Sequence, residues 1–240
     1  MSAGPEIVAP TARGAMLYDA SRCDQPDERI FDRDAWRARG ALEEAAGGRG
    51  SIAFIRDGER RWVLRHYRRG GLVARVLDDT YLWHGAARTR SFREWRLLRL
   101  LREWRLPVPC PVAARCARSG ALYRADLITE ELPTRRTLAQ ALADAPLDAG
   151  SWRAVGACVG QLHARGVHHA DLNAHNLLLA EDGAVYVLDF DRGQVRARGA
   201  WELAVLERLK RSLAKVTAGL PADRFDAAAW IALLAGCRDA

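Results

Sequence analysis

With 240 residues, 49% of them hydrophobic and 28% charged, the chain is long enough to bury a core and has the balance of a globular protein, which sets aside intrinsic disorder. A net charge of +7 points toward anionic partners without choosing among nucleotides, nucleic acid and membrane surfaces. No apolar run approaches the roughly 20 residues that cross a bilayer, and the opening MSAGPEIVAP lacks the basic-then-apolar plan of a secretion signal, so a cytosolic protein is expected.

In chain order, Gly47, Gly48 and Gly50 form a glycine-rich stretch ahead of SIAFIRDGERRWVLRHY, which predicts two strands about an Asp57-Gly58 turn. Helical periodicity runs from about 88 to 105. Pro107, Pro109 and Pro111 then mark a junction, and 110–131 predicts a second hairpin about Ser119-Gly120. Beyond Pro133 the pattern turns helical, over 135–144 and 149–165. LLLAEDGAVYVLDF is a short hairpin turning at Asp182-Gly183, and helices over 199–218 and 222–236 follow. These elements predict an α+β, bilobal plan: a small β-rich N-lobe over 1–131, with an N-terminal extension and one helix, and an α-rich C-lobe over 132–240. Five scattered cysteines without a C-x-x-C pair predict reduced thiols rather than disulfides or zinc ligands.

The chemistry concentrates in GVHHADLNAHNLLLAEDGAVYVLDFDRG. His169 and Asp171 are followed by Asn176 five residues after the aspartate and then by Asp189-Phe190-Asp191, a spacing that resembles the catalytic and metal loops of protein kinases. A hydroxyl attacking a phosphate must lose its proton, and Asp171 is the carboxylate placed to accept it. Magnesium takes oxygen ligands, which suits the Asn176 amide and the Asp189 carboxylate as holders of ions on the phosphates of ATP. Adjacent His168 and His169 point in different directions on most backbones, so His169 is read as a support for the loop rather than half of a metal pair.

The first half offers the complementary parts. Gly48 and Gly50 could lay backbone N–H groups over phosphates. In Trp62-Val63-Leu64-Arg65 an arginine stands where kinases carry lysine, and strand alternation puts Val63 and Arg65 on one face. On the following helix, at about 100° per residue, Glu94 falls on the apolar stripe with Leu97, Leu98 and Leu101, whereas Glu103 lies opposite; a buried carboxylate needs a partner, which makes Glu94 the expected partner of Arg65. LITEELP stands where a kinase hinge binds adenine, through backbone groups near Glu130 and Leu132.

LYDAxRCDQPDERIF, VLRHYRRGGLVA, RTRSFREWRLL, LPVP, HADLNAHNLLL, LDFDRG and GAWELAVLERLKRSLAK together resemble the lipopolysaccharide kinase family, and more narrowly its 3-deoxy-D-manno-octulosonic acid (Kdo) kinases. The resemblance covers most of the chain. It implies a protein-kinase-like fold, ATP and magnesium, and transfer of the γ-phosphate to the 4-hydroxyl of a Kdo residue on a lipid A precursor at the cytoplasmic face of the inner membrane, with peripheral attachment to its anionic surface. It carries Asp171 over as the base and Asn176 and Asp189 as metal ligands, but not the kinase lysine.

Residues 192–215 hold seven basic and two acidic side chains, and Arg192, Arg196 and Arg198 follow the metal loop where a kinase holds its acceptor; arginine suits the carboxylate and phosphates of such a lipid. The competing readings are a heptose kinase, a small protein kinase or an aminoglycoside-type phosphotransferase on the same fold, and a kinase-like module that binds without transferring phosphate. A nucleic-acid binder is disfavoured, since the basic residues form no aromatic-interleaved platform. No obligate protein partner is inferred.

Overall fold

The computed structural model describes residues 4–44, 51–68 and 79–240, and the chain divides into two compact units: residues 1–103 with 110–131, and residues 104–109 with 132–240. The Gly47, Gly48 and Gly50 stretch lies outside the described residues.

The first unit is built on antiparallel strands. β1 (Glu6–Thr11) and β2 (Gly14–Asp19) form a hairpin, followed by the short helix α1 (Arg33–Ala38), β3 (Leu42–Glu44), β4 (Ile52–Asp57), β5 (Arg60–His66) and β6 (Tyr81–Leu82). Helix α2 (Arg90–Glu103) precedes β7 (Pro111–Ser119) and β8 (Leu122–Glu130). The sheet order is β1-β2-β7-β8-β5-β4-β3, with β6 paired to β8. Both predicted hairpins form. Asp57 pairs with Arg60 and Ser119 with Leu122, so Gly58 and Gly120 each open a two-residue loop at φ near +60°, which glycine adopts without the Cβ penalty.

The β1–β2 hairpin extends a sheet that the sequence pattern predicts only from residue 51 onward. Pro10 lies within β1, which weakens the strand signal, yet β1 is an edge strand and an edge tolerates a residue without an N–H. Gly14 lets β2 approach β7 closely, since a Cβ there would stand 2.2 Å from the Cys116 carbonyl oxygen. One core cluster joins Met16, Tyr18, Phe31, Trp36, Ile55, Trp62 and Leu64, with Trp36 edge-on to Trp62 at 6.4 Å. Such an aromatic pair contributes about 0.5–1.5 kcal/mol beyond its buried area.

The second unit carries α3 (Leu138–Asp144), α4 (Ala149–Ala164), β9 (Val167–His168), β10 (Leu177–Leu179), β11 (Val185–Val187), β12 (Gln194–Val195), α5 (Trp201–Val216) and α6 (Ala227–Arg238). Side-chain caps set where three helices begin. Thr137 and Gln140 form a capping box, Asp148 accepts from the Ser151 amide at 2.7 Å and Asp226 from the Ala229 amide at 2.8 Å. The cap at Asp226 starts α6 later than the apolar pattern predicts, and residues 222–224 form a separate 3-10 turn.

Helices α4 and α6 meet through glycine. A Cβ on Gly156 would lie 1.9 Å from the Leu233 carbonyl oxygen, and one on Gly236 would lie 2.1 Å from that of Arg153. Backbones this close leave no room for a methyl group.

Candidate active site

The predicted hairpin forms, β10 pairing antiparallel with β11, and the Gly183 turn sits at φ +82°. It returns the chain so that Leu188 lies against the loop after β9. Both polar atoms of that residue are used: its carbonyl accepts from His169 Nε2 at 2.8 Å and its amide donates to the Asn176 carbonyl at 2.8 Å. Leu188 immediately precedes Asp189. The loop carrying Asp171 and Asn176 is therefore fastened, on both sides of one residue, to the backbone that presents Asp189. Each such bond contributes about 1 kcal/mol, and together they fix the relative placement of the loops.

His169 is only 2% exposed and packs edge-on to Phe190 at 4.8 Å. Burial, the largest cause, pushes its pKa below the ordinary histidine value. Its Nδ1 faces the Asp171 amide at 3.3 Å, so the ring is neutral, with its proton on Nε2 toward Leu188. It acts as a strut. His168 turns elsewhere, edge-on to Trp201 at 5.2 Å.

Inside the loop, the Asp171 carbonyl accepts from Asn173 Nδ2 at 2.8 Å and from Asn176 Nδ2 at 3.0 Å. The second bond commits the amide nitrogen of Asn176 and turns its oxygen to the other side, which is the atom a hard cation requires. Asp171 and Asp189 are both exposed. Asp189 has a φ of +63°, a left-handed conformation that costs a non-glycine residue about 1–3 kcal/mol and that aspartate tolerates better than most. No group of three His, Cys, Asp or Glu side chains that could hold a metal occurs among the described residues. An amide oxygen and a carboxylate fit an ion whose remaining ligands come from phosphate and water.

Two contacts from α5 were not anticipated. Arg208 lies 3.4 Å from Asp171 Oδ1, and Ser212 Oγ accepts from the Ala174 amide at 3.1 Å. They stand one helical turn apart, on one edge of α5. An abundance of arginine hid Arg208 in the sequence; its spacing from Ser212, beside the buried stripe Val205, Leu209 and Leu213, is the signal that could have found it.

Of the other basic residues predicted here, Arg198 is held by Glu202 through two contacts of 3.0 Å, at the start of α5, and Arg196 lies over the Trp201 ring at 5.8 Å. Arg192 is exposed.

In the first unit, Arg65 donates to Glu94 Oε2, which also accepts from the Tyr67 hydroxyl at 2.6 Å. Glu94 is 2% exposed and sits on the same face of α2 as Leu98 and Leu101, while Glu103 is exposed and meets Arg99 at 3.4 Å. Val63 is half-buried and pairs with Thr129. The Glu130 amide is taken by the Cys110 carbonyl at 2.8 Å and the Glu131 amide by that of Arg61 at 2.7 Å, and their side chains meet Arg22 and Arg56. Among the described residues no hydrogen bond is made to the Leu132 amide.

The profile of the Lipopolysaccharide kinase (Kdo/WaaP) family matches residues 33–236. A protein named 3-deoxy-D-manno-octulosonic acid kinase in Stenotrophomonas maltophilia (strain R551-3) is 45% identical over 207 residues, covering 85% of this chain and 81% of the relative. A protein of the same name in Xanthomonas axonopodis pv. citri (strain 306) is 45% identical over 204 residues, with 85% and 81% covered. Another, in Vibrio parahaemolyticus serotype O3:K6 (strain RIMD 2210633), is 37% identical over 198 residues, with 82% and 83% covered. The chain belongs to the lipopolysaccharide kinase (Kdo/WaaP) family and is a phosphotransferase acting on an alcohol group.

Proposed function

We propose that this protein is a Kdo kinase that transfers the γ-phosphate of ATP to the 4-hydroxyl of a Kdo residue on a lipid A precursor, during synthesis of the lipopolysaccharide core. The two units are read as the N-lobe and C-lobe of a bilobal protein-kinase-like fold. The observation that carries the proposal is the double fastening of Leu188, which ties the Asp171 and Asn176 loop to the backbone of Asp189. The names of the relatives, at 37–45% identity, support Kdo as the acceptor.

In the proposed step the Kdo hydroxyl oxygen attacks the γ-phosphorus, its proton passes to a carboxylate oxygen of Asp171, and the bond to the β–γ bridging oxygen breaks to release ADP. Asn176 Oδ1 and the Asp189 carboxylate would hold magnesium, which would supply neutralising charge to the phosphate oxygens. Arg65, oriented by Glu94 and Tyr67, contacts phosphate and Val63 lines the adenine site; Gly48 and Gly50, expected to cover the phosphates, lie outside the described residues. The Leu132 amide and the Glu130 carbonyl are the proposed backbone contacts to adenine, since the Glu130 amide is already bonded.

Arg192 and Arg196 are assigned to the anionic acceptor. Arg198 shares this role least, because Glu202 already holds it. No helix among the described residues is long and apolar enough to cross a membrane. Attachment is proposed as peripheral, at the cytoplasmic side of the inner membrane, through basic side chains facing anionic headgroups.

The test is transfer of label from γ-labelled ATP, with magnesium, to a Kdo-bearing lipid A precursor. Wild type should label the lipid. Asp171→Asn should lose about 10²–10⁴-fold in rate, the range that general bases contribute. Undiminished labelling by Asp171→Asn would remove the proposed base, and no labelling by wild type would remove the proposed acceptor.

A further inference from the structure

The segment His169-Ala170-Asp171-Leu172-Asn173-Ala174-His175-Asn176 contains no lysine or arginine, so a fixed positive charge beside Asp171 must come from elsewhere in the chain. Helix α5 brings it. Arg208 reaches Asp171 Oδ1 at 3.4 Å, and one turn later Ser212 Oγ takes the Ala174 amide at 3.1 Å. The two contacts grip the loop on either side of Leu172, which is fully buried. Helix α5 is itself anchored by Val205, Leu209 and Leu213, so the edge that carries Arg208 and Ser212 is rigid relative to the core.

Stability alone does not explain the ion pair. The Arg208 side chain is 49% exposed and that of Asp171 is 59% exposed. An exposed, single-contact pair of this kind contributes about 0–1 kcal/mol and holds two flexible side chains at some entropic cost. What it does accomplish is geometric. With Oδ1 engaged by the guanidinium, the carboxylate is left with Oδ2 to receive a proton, and its rotation about χ2 is restrained.

We infer that Arg208 is the positioning residue of the base: α5 orients the Asp171 carboxylate through Arg208 while Ser212 fixes the loop backbone beneath it. This rests on the assignment of Asp171 as the proton acceptor. It adds a residue thirty-seven positions downstream, on a different element, to the working parts of the reaction.

The experiment is a double-mutant cycle on the full chain with ATP, magnesium and the Kdo-bearing lipid A precursor, using Arg208→Ala, Arg208→Lys, Asp171→Asn and the double variant Arg208→Ala with Asp171→Asn. A contact worth at most about 1 kcal/mol can bias the carboxylate by at most about fivefold, at about 1.36 kcal/mol per tenfold. Arg208→Ala should therefore lose about two- to fivefold in kcat, with KM for ATP and the calorimetric affinity for magnesium-ATP unchanged. Millimolar guanidinium should restore part of that loss, and Arg208→Lys should fall between wild type and Arg208→Ala. In the Asp171→Asn background, adding Arg208→Ala should lower kcat no further, because the group it orients is gone. Thermal melting of Arg208→Ala should match wild type, as the exposed pair requires.

An Arg208→Ala protein that keeps the wild-type kcat overturns the inference alone, as does one whose full loss persists in the Asp171→Asn background. Equal turnover by wild type and Asp171→Asn overturns the assignment of the base and this inference with it.

Discussion

Removing Arg65 separates two roles that one ion pair combines. Glu94 is 2% exposed, and Arg65→Met takes the guanidinium from its carboxylate while the Tyr67 hydroxyl stays at 2.6 Å. Breaking a buried pair by removing one partner costs about 3–5 kcal/mol. Arg65 is itself 21% exposed, so the low end, about 3 kcal/mol, applies here. For a chain of this size each kcal/mol lowers Tm by about 2–4 °C, which gives a drop of about 6–12 °C.

Replacing both residues, Arg65→Met with Glu94→Met, removes the buried charge as well, at the cost of the Tyr67 hydroxyl's bond to Glu94, and should recover part of the lost melting temperature. If Arg65 also contacts phosphate, the double variant should still bind magnesium-ATP at least about tenfold more weakly than wild type, because one lost charge-assisted hydrogen bond is worth about 1.5–3 kcal/mol. Differential scanning calorimetry and isothermal titration read the two effects separately. A single variant that melts within about 2 °C of wild type, or a double variant that melts as low as the single, would refute the reasoning.

The histidines predict a stability maximum near pH 6.5. Hydrogen bonding to Asp126, the largest cause, raises the pKa of His66 above 6.5, so its contribution is complete below pH 6.5 and is lost as pH rises through the folded value. Burial lowers the pKa values of His163 and His169, so their contribution is present above pH 6.5 and is lost as pH falls. Denaturant midpoints measured from pH 5 to 8 should fall on both sides, with His66→Ala flattening only the alkaline limb. Gly156→Ala should destabilise by at least about 2 kcal/mol, as overpacking does, because its methyl group meets the Leu233 carbonyl; an unchanged urea midpoint would mean that α4 and α6 separate easily. Asn176→Ala should raise the magnesium concentration needed for half-maximal turnover, and a variant saturating at the wild-type concentration would remove Asn176 from the metal site.

Much of this was legible where local residues mark an element's ends. Gly58, Gly120 and Gly183 sit in the turns that their neighbours predict, and α4 starts where expected, after Asp148, whereas the caps at Thr137 and Asp226 start α3 and α6 later than the apolar pattern predicts. Glu94 was separable from Glu103 by periodicity alone, since a carboxylate on the inward stripe is costly unless partnered. The β1–β2 hairpin was not legible. Its inner strand, β2, is stabilised by pairing with β7, a partner about a hundred residues away, and Pro10 argues locally against a strand in β1. The α5 contacts to the loop were hidden for a related reason. Nothing in the vicinity of Asp171 marks Arg208, one arginine among 35, and only tertiary packing selects it. Local chemistry was readable, then, and long-range pairing was readable only where a motif demanded a partner, as Glu94 did.

The central claim is transfer to a Kdo hydroxyl by the Asp171 loop. Its most direct test is phosphorus and proton NMR, with fragment mass spectrometry, on the product made by the wild-type protein from ATP, magnesium and a Kdo-bearing lipid A precursor. One added phosphate on the Kdo ring, at the 4-position, is expected, formed about 10²–10⁴-fold more slowly when Asp171→Asn replaces wild type. A phosphate on any sugar other than Kdo would contradict it.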